Sequence, residues 1–217
     1  MPPPAPISAP SATEDAVRVH ARERFTEAAF DLFSREGFGG VTLDSIAAAV
    51  GVTKGSLCWH FASKKELIVE TCAYYYRNWQ RDAFSEMAKV RSPKEQLRRV
   101  LRMSVERCLF DERNRVFTTE LFALAVHDRE IRAGWAQFYD SVRELFAGLV
   151  TAAGKAGEFH SENPVESVNW MLAAIEGFKQ RAVFEPEICN AAHRDHIVGH
   201  LMEMVSGIPS TSHGENS

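Results

Sequence analysis

The chain has 217 residues, 45% hydrophobic and 25% charged. That balance excludes a disordered polyelectrolyte or a low-complexity fibre and leaves room for one small domain plus a larger one. The net charge of −4 excludes a general attraction to polyanions; residues 1–65 hold seven Lys/Arg and seven Asp/Glu, so the excess acid lies in the remainder.

In chain order, the opening MPPPAPISAPSA lacks a basic n-region and an apolar h-region, so residues 1–13 read as a disordered Pro/Ala/Ser arm and not a signal peptide. A first helix is predicted from about Glu14 to Glu36. Val17, Ala21, Phe25, Ala28, Leu32 and Phe33 form its apolar stripe, and Gly37, Gly39 and Gly40 end it. Then comes TLDSIAAAVGVTKGSLCWHF, residues 42–61. Thr42 suits an N-cap with Asp44 in the first turn, and Ile46, Ala47 and Val50 make a short apolar stripe. Gly51 can take positive φ in the turn, Val52 can plug the angle, and Thr53 caps a second short helix opening with Lys54, Gly55 and Ser56. Between Ser45 and Lys65 there is no Asp or Glu, while Lys54, His60, Lys64 and Lys65 are present. A plain αα-corner shares the apolar positions. The acid-free, capped start of the second helix is what favours DNA binding.

The body follows, from residue 64 to 207. Ser63-Lys64-Lys65-Glu66 is a capping box opening a long fourth helix to about Val90. Ser92-Pro93-Lys94-Glu95 opens a fifth, with Leu97, Leu101, Ser104 and Cys108 on one face. A sixth begins around Asn114, with Phe117, Glu120, Leu121 and Leu124 on one side. Asp128 caps a seventh, with the stripe Ile131, Trp135, Phe138, Val142, Leu145, Phe146 and Leu149, closed by Gly154 and Gly157. Asn163-Pro164-Val165-Glu166 starts an eighth ending near Glu185-Pro186, and a ninth covers roughly Glu187 to Ser206. Residues 208–217 read as a disordered tail. No strand alternation is found, so the fold class is all-α: an N-terminal three-helix domain with a helix-turn-helix, residues 14–63, plus a C-terminal helical bundle. The eighth helix has two apolar stripes, Val168, Met171, Leu172, Ile175 and Phe178, and Trp170, Ala174, Gly177, Arg181 and Phe184. A helix apolar on two sides is buried on two sides, either as a central core helix or, the reading favoured here, against a second copy. The four cysteines, Cys58, Cys72, Cys108 and Cys189, include no CxxC pair, which suits a reducing cytoplasm. No apolar run reaches membrane-spanning length.

Arg22, Phe25, Ala28, Ala29, Leu32, Phe33, Gly37 and Phe38, then Thr42, Ile46, Ala47, Gly51, Val52, Lys54, Gly55, Leu57, His60, Phe61, Lys64 and Leu67, resemble in order and spacing the DNA-binding domain of TetR-type bacterial transcriptional regulators, usually repressors released from DNA by a small ligand. The resemblance covers Val17 to about Ile68. Beyond it the likeness is architectural, although LFALAVHD and FAGLVTAAGKAGEF are similar to the ligand domain of BetI-type members. Cys58 stands where the family commonly has a Tyr that often contacts phosphate, and Trp59 is the candidate to take over that contact. The resemblance also implies that the C-terminal helical bundle is a ligand-binding and dimerisation domain, its last two helices forming a four-helix homodimer interface.

At the DNA, Thr42 and Thr53 offer hydroxyls and helix N-terminal N–H groups to phosphates. Lys54 is a base-edge or phosphate contact, Gly55 allows close approach, Ser56 and Trp59 face bases, His60 and Lys64 bind backbone phosphates, and Arg22 reaches phosphate or the minor groove. For the body, Trp79, Cys108, Phe117, Glu120, Leu121, Trp135, Phe138, Trp170, Met171, Ile175 and Phe178 are candidates for a pocket taking a largely apolar small-molecule effector. Glu120, placed on an apolar face, needs either a cationic ligand or a partner such as Arg102, Arg107 or Arg181. His193, His196 and His200 share a helix face, with Cys189 one turn earlier, but companion ligands are unclear and no metal is expected. No cofactor motif, nucleophile–base pair, phosphate-cradling glycine loop or HExxH motif supports an enzyme. The leading expectation is a cytoplasmic, dimeric, ligand-responsive repressor on a palindromic double-stranded operator; a constitutive DNA-binding module or an activator remains open.

Overall fold

The computed structural model describes residues 12–206, with side chains from Arg18 onward except at position 191. The arm and tail expectations fall outside the described residues apart from the helical positions 12 and 13, and Val17 falls outside the described side chains. Among the described residues there is no strand.

Helix α1 is Ala12–Gly40, broken at Gly37, whose φ of 71° is the left-handed conformation that glycine adopts without Cβ strain. Helices α2, Leu43–Val50, and α3, Lys54–His60, follow. Thr42 and Ser45 cap α2 reciprocally: Thr42 Oγ1 accepts from the Ser45 N–H at 3.1 Å and Ser45 Oγ accepts from the Thr42 N–H at 3.0 Å. Gly51, at φ 77°, closes α2 by donating to Ala48 O while Val52 N–H reaches Ala47 O, both at 3.0 Å. Thr53 Oγ1 then accepts from the Ser56 N–H at 3.2 Å and starts α3. Phe25, Phe33, Val41, Ile46, Leu57, Phe61 and Leu67 are buried and hold these helices to one core.

The remaining helices are α4, Lys64–Ala88; α5, Pro93–Val105; α6, Glu112–His127; α7, Arg129–Lys155; α8, Pro164–Arg181; and α9, Arg194–Ser206. The chain divides into two compact units at Tyr74/Tyr75, inside α4 and beyond the Lys64 start taken for the body above. In the second unit α5 packs on α7, α7 on α8, and α8 on α9 around Trp79, Leu97, Leu101, Phe146, Val168, Met171, Ile175 and Leu201.

Three boundaries differ from the expectation. Helix α6 opens at Glu112, because Asp111 takes the cap and its carboxylate accepts from both Asn114 N at 3.2 Å and Asn114 Nδ2 at 2.6 Å. Cys108 does not sit on α5: residues Glu106–Phe110 form a π-helical turn that carries it. The stretch after Pro186 makes two 3₁₀ turns, Pro186–Cys189 and Ala191–His193, before α9. Proline removes a helical donor, and Asn190 closes the local alternative by accepting from Ala192 N through Oδ1 at 2.9 Å and from His193 N through its carbonyl at 2.8 Å. Cys189 is therefore not one turn below His193 on a common helix, and no cluster of three metal-ligating residues forms among the described residues.

Candidate DNA-reading helix and ligand cavity

On α3, Thr53, Lys54, Gly55, Ser56, Cys58 and Trp59 are all exposed, while Leu57 is the buried anchor. Trp59 keeps 67% of its surface in solvent, with the Arg18 guanidinium 5.0 Å above its ring. Leaving so large a ring mostly in water is unfavourable, and an exposed aromatic beside a cation suits stacking or packing on nucleic acid. Arg18 was missed by sequence reasoning; its only signal was a position on the α1 face that turns toward α3. Lys54 is not a free cation. Its Nζ lies 2.7 Å from Asp44 Oδ2, and that hydrogen bond and charge raise its pKa above the ordinary value. At Gly55 an added Cβ would meet nothing closer than Thr53 Oγ1 at 3.8 Å, so the head itself does not require glycine there.

The three candidates behind α3 are engaged internally. The Arg22 guanidinium donates to the His60 carbonyl, lies 3.5 Å from Glu66 and 3.6 Å from Glu70, and stacks 4.2 Å from the Phe61 ring centroid. Lys64 Nζ donates to the Phe38 carbonyl. His60 packs between Phe25 and Trp59, at ring separations of 5.2 and 4.8 Å, and its Nδ1 is buried without a hydrogen-bond partner among the described residues. That burial, followed by the charges of Arg18 and Arg22, holds its pKa below the ordinary histidine value.

In the second unit a cavity lies between α4, α5, the π turn, α6, α7 and α8. Five of the residues expected for a pocket line it: Trp79, Cys108, Trp135, Phe138 and Ile175. The empty space is about 470 Å³, counting its open mouth, but the room at its centre is only a few waters' worth. Rings fill the rest. Trp135 and Phe138 stack at 4.8 Å, Tyr75 and Trp79 stand 5.9 and 6.0 Å from Phe138, and Trp79 Nε1 donates to Ser104 Oγ at 3.1 Å.

The other candidates are elsewhere. Phe117, Leu121 and Met171 are fully buried core residues outside the lining. Trp170 is 63% exposed, because it sits on the opposite stripe of α8 from Met171 and Ile175. Phe178 lines a separate apolar groove with Ala174, Ile188, Ile197, Leu201 and Met204, into which His193, His196 and His200 also project. Glu120 is exposed, not buried: the inward face of α6 is Asn114, Phe117, Thr118, Leu121 and Ala125, and Glu120 falls to its side.

The buried charge is on α8 instead. Lys179 is 1% exposed, and its Nζ meets Glu176 Oε2 at 2.6 Å; Tyr139 donates its hydroxyl to Glu176 Oε1. Sequence reasoning missed this pair because Lys179 lies in the last turn of α8, where a lysine ordinarily complements the dipole in solvent. The π turn brings Cys108 beside the Tyr75 hydroxyl. Burial pushes both, and Tyr139, toward their neutral forms.

The sequence matches the bacterial regulatory proteins, tetR family, over residues 25–71, and the BetI-type transcriptional repressor C-terminal domain over residues 93–206. It is 31% identical to the HTH-type transcriptional regulator AcrR of Shigella flexneri, over 76% of this chain and 80% of that protein. The chain belongs to the TetR family of transcriptional regulators. The IcaR negative regulator of the icaADBC biofilm operon in Staphylococcus aureus is 39% identical over 26% of this chain and 32% of its own length. An uncharacterised Bacillus subtilis regulator, YerO, is 37% identical over 25% of this chain and 19% of its own length. In fold the chain is similar to a regulator from Saccharomonospora viridis solved in complex with choline, at 21% identity and a TM-score of 0.75 over 84% of this chain and 94% of that one. It is also similar to AibR solved with isovaleryl coenzyme A and operator DNA, at 19% identity and a TM-score of 0.63 over 85% of this chain and 97% of that one. Among the described residues no helix is long and apolar enough to cross a membrane.

Proposed function

We propose that the protein is a cytoplasmic, homodimeric repressor that binds a palindromic operator through α3 and leaves it when a small molecule occupies the cavity. The observation that carries the reading is the face of α3: a capped helix start free of acids with Lys54, Gly55, Ser56 and Trp59 exposed together. Such a start suits a major groove, with phosphates taken by Thr42 and Thr53 and their helix N-termini. Arg22, His60 and Lys64 act mainly by holding α3 in place, and Arg18 joins Trp59 at the DNA.

Dimerisation is supported by the apolar surface left outside the core. Trp170, Val183 and Phe184 are each more than 60% exposed on or just after α8, and the groove between α8 and α9 is almost wholly apolar. A second copy would cover both, and a two-fold pair of reading helices explains a palindrome.

Release is supported by the cavity's tightness. A ligand larger than a few waters must push its rings apart, and Tyr75 and Trp79 belong to α4, whose first turns carry Leu67 and Thr71 of the head core. The effector, a small molecule of mainly apolar bulk, thereby favours an expanded state with lower operator affinity. Operator titrations test the reading: Lys54→Ala and Trp59→Ala should each weaken specific binding about ten- to a hundredfold. Unchanged affinity in both variants would reject the assigned face.

A further inference from the structure

We infer that a second copy of this chain completes a metal site: His196 and His200 of α9 from each of two copies hold one zinc-class divalent ion between them. The inference rests on the homodimer proposed above and adds the ion that clips it.

His196 and His200 stand four residues apart on α9, so their rings share one face about a helical turn apart. That spacing is the helical histidine pair that binds zinc through two imidazoles. Both residues line the groove between α8 and α9, and both are exposed. His200 is already oriented for a metal. Its Nδ1 donates to Glu203 Oε2 at 3.1 Å, which fixes the tautomer whose Nε2 lone pair can meet an ion. His193 precedes α9 on a 3₁₀ turn, outside the register of the pair.

A closed zinc site takes four ligands, and one copy offers two. Among the described residues no third His, Cys, Asp or Glu joins them within the chain. The groove supplies the reason to look to a second copy. It encloses about 1070 Å³, counting its open mouth, and is walled by Phe178, Ile188, Ile197, Leu201 and Met204, an apolar area that favours cover. Ala174 joins that wall to the outer stripe of α8, where Trp170 is exposed, so one partner covers both. A two-fold homodimer uses the same patch on each copy. The histidine rim of one protomer then meets that of its partner at the axis, and four neutral imidazoles surround the ion. The two Glu203 carboxylates behind them offset its two positive charges. Imidazole nitrogen suits zinc, copper and nickel and not magnesium or calcium.

Sedimentation and calorimetric titration of the full, untagged chain with Zn²⁺ test this. One ion should bind per two chains and tighten dimerisation about tenfold or more. EDTA should reverse the gain, and Mg²⁺ should give none. His196→Ala and His200→Ala should each abolish it, and Glu203→Gln should weaken zinc binding about ten- to a hundredfold. A dimer unmoved by Zn²⁺ would overturn the clip while leaving the homodimer in place. One ion per chain, or a gain kept in both histidine variants, would overturn it as well. A chain that stays monomeric with and without Zn²⁺ is the separate failure that removes the homodimer reading itself.

Discussion

Gly55 and His60 show how single residues divide between building the reading head and using it. Replacing Gly55 by Ala places a methyl where the nearest atom is 3.8 Å away. Helix propensity then predicts a gain of about 0.5–1 kcal/mol in the stability of the head. The same methyl stands on the exposed start of α3, so operator affinity should fall while the denaturation midpoint rises. A variant that lost both would mean that the glycine serves folding alone. His60 carries the opposite emphasis. Because burial lowers its folded pKa, the unfolded chain takes up its proton first as pH drops. The stability from the packed neutral ring is thus complete above the ordinary histidine range and is lost as pH falls through it, from about 6.5 downward. Urea midpoints between pH 7.5 and 5 should decline, and His60→Gln should flatten that slope; an equal slope in the variant would contradict the assignment.

At the scale of elements, α8 is decisive, since one face holds Lys179 and Glu176 and the other displays Trp170. Glu176→Gln leaves a buried ammonium without its carboxylate and should cost about 3–5 kcal/mol, whereas adding Lys179→Met to it should recover most of that loss. Chemical denaturation of the two single variants and the double variant measures the coupling, and additive effects would dissolve the pair. The elements themselves were largely legible: Thr42, Thr53, Ser92 and Asn163 cap the helices they were expected to cap, because a cap is a local bond written within three residues. What was illegible depended on distant packing. Glu120 was assigned to an apolar face from four residues of periodicity, but the face of α6 that turns inward is set by the neighbours it packs on. The π turn at Glu106–Phe110, which aims Cys108 into the cavity, leaves no trace in an apolar pattern that a regular helix would also satisfy. Lys179 was overlooked since a lysine's burial is decided by the partner waiting for it.

The molecule as a whole joins a head whose proposed DNA face is built from residues close in sequence to a body whose cavity collects residues from Tyr75 to Lys179. That difference explains why the caps and turn of the head were readable from the sequence while only some of the cavity's lining residues were. The regulatory account requires two heads to act together, and one measurement bears on that most directly. Selection of bound duplexes from a random pool by the purified chain should enrich an inverted repeat with half-sites spaced for successive major grooves, and Lys54→Ala should weaken that enrichment. A single unrepeated half-site, or no enrichment at low salt, would contradict it.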